Sequence, residues 1–164
     1  KSQGYQIGKF KTIDFFEYST PNKYDVVASF GFIEHFENYK EVILKHSQMV
    51  KDDGYLVITT PNFRGGIQKW LHKTYDKTNL SFHNLESMQP EEWASVLKEY
   101  GFEIKYQGYF GGFLFWRSVE PMSGFKQKSL WVIERVIQRL RKVLWFQSGS
   151  FSCYCGIIAR KIME

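Results

Sequence analysis

Apolar residues run almost without interruption through Tyr24–Phe30, recur at helical spacing, and run again through Tyr55–Thr60. An unalternating run of that length reads as a strand covered on both faces. Strands are therefore expected over 24–30 and 55–60. Between them Val42, Ile43, His46, Met49 and Val50 fall three and four residues apart, predicting a helix over 37–50. Gly31 ends the first strand, Lys51-Asp52-Asp53-Gly54 turns the chain after the helix, and Pro61 closes the second strand. Two buried strands joined by a helix make a parallel β-α-β unit.

The flanking pattern extends the α/β reading. A short strand is expected over 9–13, ahead of Asp14, with a polar turn at 19–22. Residues 63–88 hold Gly65-Gly66, a short helix near 67–71 and a polar run over 73–79; so long a connection is usually functional. Pro90-Glu91-Glu92 opens a helix carrying Trp93, Val96, Leu97 and Tyr100, and Gly101 stops it. A strand follows over 102–109. Leu130, Ile133, Ile137, Leu140 and Leu144 line one face of a helix expected over 127–145, and a last strand is expected over 151–159. Open sheets of this kind bind ligands beyond the carboxyl ends of their strands, here Phe30–His35 and Thr60–Phe63.

Composition changes this picture in three places. With 18% aromatic residues the chain has material for a core and for a pocket, and Phe63, Trp70, Tyr75, Phe82, Tyr109, Phe110, Phe113, Phe115 and Trp116 can serve either. Segment 126–142 holds six cations against Glu134, a difference equal to the whole net charge of +5. That confinement argues against an extended nucleic-acid surface, so no nucleic acid is expected. Segment 126–146 can pack on the sheet as a crossover helix, form a subunit contact, or touch an anionic membrane through its cationic face with Trp131, Trp145 and Phe146. Cys153 and Cys155 are too close for an ordinary disulfide, which fits a reducing, cytoplasmic location. No signal peptide and no apolar run of spanning length is read, and the chain opens on Lys-Ser-Gln-Gly.

The stretch DVVASFGFIEHF, a helix, then DGYLVITTPN resembles the second half of a class I S-adenosylmethionine-dependent methyltransferase. It is similar to the small-molecule branch that includes quinone-biosynthesis O-methyltransferases. Asp25, Glu34-His35, Gly54 and Pro61-Asn62 carry the resemblance. It implies a Rossmann-like α/β sheet, mostly parallel with the last strand antiparallel. It also implies S-adenosylmethionine as cofactor and a small-molecule acceptor, methylated at oxygen. The family's glycine-rich cofactor loop has no counterpart in these 164 residues. The N-terminal strands are therefore expected to be missing, and 1–164 reads as a partial domain. Within it 9–62 is the cofactor-half remnant, 63–89 the acceptor-side loop and 90–164 the C-terminal helices and strands. A non-catalytic scaffold module and an RNA methyltransferase are the alternatives.

By resemblance, Asp14 takes the adenine amino group and Phe15 lies beside the ring; a turn-capping Asp14 is the alternative. Phe30, Gly31 and Phe32 form the loop under the cofactor. Glu34-His35 lines the active site with His35 as general base, or is a structural helix start. The pair can also ligate a divalent metal. Small-RNA 2′-O-methyltransferases do so with a further acid and a later His; His83 can be that later ligand, but Gly31 takes the acid's place here, so the set is incomplete and no metal is expected. His83 is a second proton-transfer candidate. Asn62, Phe63, Trp70 and Phe82 are expected at the acceptor, Asn62 alternatively as a strand-ending turn.

Overall fold

The expected β-α-β unit is present in the computed structural model, which describes residues 8–115, 117–118, 121–140, 142–143 and 146–162. Strand β1, Tyr24–Phe30, leads through the one-turn helix Ile33–His35 to α1, Tyr39–Gln48, and then to β2, Val50–Pro61. Helices α2 (Gly66–Tyr75), α3 (Lys77–Ser81) and α4 (Pro90–Glu99) follow, then β3 (Phe102–Phe113), α5 (Gly124–Leu140) and β4 (Ser152–Lys161). The polar run expected as loop over 73–79 thus holds the end of α2 and the start of α3. Trp116, Arg141, Leu144 and Trp145, assigned roles above, lie outside the described residues.

The sheet order is β1-β2-β4-β3. β1 pairs parallel with β2, and β4 runs antiparallel to both β2 and β3. Three strands therefore point one way, with β4 reversed among them. The Asp-Gly turn sits inside β2 as a bulge: Tyr24 pairs with Val50 and Val26 already with Tyr55. Asp53 adopts φ +62°, and a Cβ on Gly54 would lie 2.9 Å from the Lys51 carbonyl, so glycine there answers a close approach.

Two expectations fail on physical grounds. Residues 9–13 are not a strand. A strand exists through ladder hydrogen bonds, and the outer edge of β1 has no strand neighbour among the described residues. Nor are β1 and β2 covered on both faces. Val27, Ser29, Leu56 and Ile58 are buried, whereas Val26 is exposed and Phe30 is 70% exposed. Among the described residues, helices α1 and α4 cover one face, through Val42, Ile43, Trp93 and Leu97. The opposite face keeps an open apolar groove of about 310 Å³ lined by Val57, Thr59, Tyr106, Phe110 and Ile158.

α4 forms as its sequence dictates. Pro90 starts it, Glu91 and Glu92 put negative charge in its first turn, and Trp93 anchors it by donating from Nε1 to the Ser87 carbonyl at 2.6 Å. α5 does not pack over the main core. Leu130 and Ile137 join a separate cluster with Leu71, Tyr75, Phe113, Phe115 and Phe151. In place of the expected crossover packing on the sheet, α5 packs against α2, the end of β3 and Phe151 just before β4.

Candidate active site

Gly31 turns the chain off β1 at φ +60°, and its N–H donates to the Thr59 carbonyl of β2 at 2.9 Å. The turn delivers Glu34 and His35. Glu34 is 1% exposed, and its Oε2 has no hydrogen-bond partner among the described residues. Burial raises its pKa, offset in part by its own backbone N–H and by His35. His35 is exposed, with Nδ1 3.1 Å from the Phe82 carbonyl. A carbonyl only accepts, so Nδ1 carries a proton and the lone pair of the neutral ring falls on Nε2. His83 is fixed the same way, donating from Nδ1 to the Asn79 carbonyl at 2.7 Å. Burial lowers the His83 pKa, the Asn79 contact opposes this, and nearby His35 lowers it further.

The two imidazole centroids are 4.8 Å apart. Glu34, His35 and His83 each offer a ligand-type atom, all within 4.8 Å of one another. Such a set can move a proton or hold a divalent cation. Asn84 makes the juxtaposition. Its N–H donates to the Glu34 carbonyl at 2.7 Å, its amide to the Phe36 carbonyl at 3.0 Å, and its Oδ1 accepts from Glu86 N–H. The sequence reading missed Asn84; an Asn before a one-turn helix is a legible cap, but its reach back to 34–36 is not local.

Beside this pole lies an aromatic wall. Phe15 stacks on His46 at 4.6 Å and meets Phe32 edge-on at 5.2 Å, and Phe32 packs on Phe36 at 4.9 Å. Phe15 and Phe32 line an open depression of about 640 Å³ with Ile13, Tyr18 and Lys11. Asp14 flanks the wall, with Oδ1 accepting the Phe16 N–H at 2.7 Å, so it caps the turn over 15–17. His46, read from sequence only as a packed helix residue, is the ring that fixes Phe15. It donates from Nδ1 to the Val42 carbonyl at 2.7 Å.

The remaining expected residues separate. Phe30 lies on the uncovered face of the sheet. Phe82 is exposed and contributes its carbonyl to His35. Trp70 is exposed on α2, edge-on to Tyr75. Phe63 is buried and packs against both His83 (4.8 Å) and His72 (3.7 Å), so it backs the pole from inside. Asn62 is buried with both amide protons in use, to the Gly149 and Ser152 carbonyls at 2.8 and 2.9 Å. Its Oδ1 accepts from Gly65 N–H at 3.2 Å. That is a pin between the β2 exit and the turn before β4, not an open acceptor contact.

A mixed sheet flanked by helices, with a polar pole where β1 and β2 end, is the architecture of Rossmann-like methyltransferases. Residues 3–107 match the family model described as a methyltransferase domain, and the chain belongs to that family. A SAM dependent methyltransferase from Archaeoglobus fulgidus is 24% identical at TM-score 0.50, the match covering 86% of this chain and 61% of that one. A candidate methyltransferase from Bacillus halodurans is 17% identical at TM-score 0.52, over 88% of this chain and 68% of that one. N-methyltransferase NodS from Bradyrhizobium japonicum, solved with S-adenosyl-L-homocysteine, is 12% identical at TM-score 0.47 over 91% and 52%. The chain thus spans about three-fifths of the Archaeoglobus protein's length, and the likeness at these identities is one of fold. No curated protein matches the sequence.

Proposed function

We propose that the protein takes part in S-adenosylmethionine-dependent methyl transfer to an oxygen of a small-molecule acceptor. The observation that carries this is the approach of Glu34, His35 and His83 at the ends of β1 and β2, beside the Phe15–Phe32 wall. The wall and the Gly31 turn fit one flank of a nucleoside: flat apolar rings face an open depression, and the turn keeps side-chain bulk away. S-adenosylmethionine, when bound, supplies an electrophilic methyl group. The chain's own part is to hold the acceptor in line and to take its proton. His35 suits the second task, since Nε2 has a lone pair and the ring is reachable. His83 stands ready as a relay at ring-contact distance.

The test is calorimetry with S-adenosylhomocysteine on the natural full-length gene product, followed by acceptor turnover with His35→Gln. Binding with kcat lowered by about 10²–10⁴ supports the proposal. No binding sinks the enzyme reading, and binding with unchanged kcat sinks the His35 assignment.

One observation favours a second reading. The orphan Glu34 Oε2, together with two imidazoles whose Nδ1–H groups are held by carbonyls, is a donor set matching a divalent cation. The sequence led to the opposite expectation. In this reading Glu34, His35 and His83 would hold the cation, which would supply Lewis-acid activation of an acceptor oxygen. Manganese binding that Glu34→Gln abolishes, with turnover lost to a chelator, selects it; chelator-insensitive turnover rejects it.

A further inference from the structure

α5 carries two apolar stripes, and the fold uses one. Leu130 and Ile137 are buried against the α2 cluster. Phe125, Val132 and Val136 form a second stripe, about 130° round the helix from the first by its 3.6-residue period. They are 84%, 53% and 49% exposed. Lys128, Arg135 and Arg139 line one flank of that stripe by the same period, all exposed, and Arg135 lies 4.3 Å over the exposed Trp131 ring. The segment's single acid, Glu134, turns to the half-buried side.

We propose that this outward face of α5 docks the protein on an anionic lipid bilayer. An apolar stripe beside a cationic flank matches an interface whose interior is apolar and whose rim is negative. Phe125, Val132 and Val136 enter the acyl boundary, while the Lys and Arg stems run along it with their charges at the headgroups. A second copy of the chain fits poorly, because segment 126–142 holds the whole net charge of +5 and two such faces repel. Spanning is not implied: among the described residues no helix is long and apolar enough to cross a membrane. The helix lies on the surface. This inference does not depend on the methyl-transfer chemistry.

The experiment is co-sedimentation of the whole chain with vesicles of phosphatidylcholine alone and of phosphatidylcholine mixed with phosphatidylglycerol. Binding is expected only to the mixed vesicles, weakening as salt rises. Arg135→Gln with Arg139→Gln lowers the partition coefficient roughly 25-fold, at about fivefold per cation. Val132→Ser with Val136→Ser lowers it as well, with circular dichroism unchanged in both variants. No binding to either vesicle overturns the proposal, as does equal binding to both. A concentration-dependent dimer that the valine variant dissolves, seen by light scattering, also overturns it and makes the stripe a subunit contact.

Discussion

Replacing Asn62 by alanine removes three hydrogen bonds at once. Two amide protons leave the Gly149 and Ser152 carbonyls, and the Gly65 N–H loses its acceptor. Alanine takes the partner from backbone groups that are buried at Gly65 and Ser152 and part-buried at Gly149, at about 1 kcal/mol each. The sum is about 3 kcal/mol, a large share of the roughly 5–15 kcal/mol that holds an average domain. Urea denaturation followed by far-UV circular dichroism reads it. With a slope of about 2 kcal/mol/M, the midpoint falls by about 1.5 M. Asn62→Asp costs at least as much: it keeps an acceptor for Gly65 but sets carboxylate oxygen against two carbonyls. If the alanine variant unfolds within about 0.5 kcal/mol of the parent, against that roughly 3 kcal/mol, Asn62 is not the pin. A variant that keeps its midpoint and shows only a raised acceptor KM returns Asn62 to the acceptor.

Gly65→Ala drives a Cβ into the Gly149 carbonyl and to 2.8 Å from the Ser150 carbonyl. The same denaturation assay should show a loss of about 1–3 kcal/mol; an unchanged midpoint means the 147–150 turn can move aside. Burial holds the His46 pKa below its ordinary 6.5, so the unfolded chain takes up that proton first as pH falls. Stability then declines downward from about pH 6.5, by about 1.4 kcal/mol per unit of depression. His46→Phe keeps a ring on Phe15 and flattens that slope in denaturation series between about pH 7 and 5; parallel slopes refute the assignment. Burial pushes the Cys155 thiol up to about 12, with Sγ 3.1 Å from Thr60 Oγ1. A thiol reagent at neutral pH should label it only in denaturant, and rapid labelling of the native chain contradicts that environment.

The β-α-β unit was legible because its signals are local: Val and Ile runs for β1 and β2, and three-and-four spacing for α1; Lys51–Gly54 read as a turn ahead of the strand, whereas it lies inside β2 as a bulge. Pro90 and its two glutamates announced α4 in the same way. Coverage of the sheet was not legible. Val26 and Phe30 read as buried because their neighbours in sequence are apolar, yet burial depends on which elements lie across the face. At the site, Glu34 and His35 stand together in sequence and His83 entered by family likeness, but their meeting depends on Asn84 reaching back to Glu34 and Phe36. For Asn62 the choice between acceptor contact and strand-ending turn stayed open in the sequence for the same reason. Its partners, Gly149 and Ser152, lie 87 and 90 residues away, and no spacing rule covers that distance. The outward stripe of α5 was hidden by the inward one, since a single periodic face satisfies the helix signal.

β4 is the final strand in sequence and an inner strand in space. Leu56 pairs with Ala159, and Ile104 pairs with that same residue from the other side. During synthesis from the N-terminus, β2 and β3 have no common neighbour until Ser152–Lys161 leaves the ribosome. Until then the nascent chain can form β1, α1 and β2 but must carry Ile58 and Phe102 without their final cover. Sheet closure is therefore a single late event over long sequence separations, which is slow and exposes apolar strands while it waits. A stalled chain ending near residue 150 should be protease-sensitive through β3 and a client for chaperones.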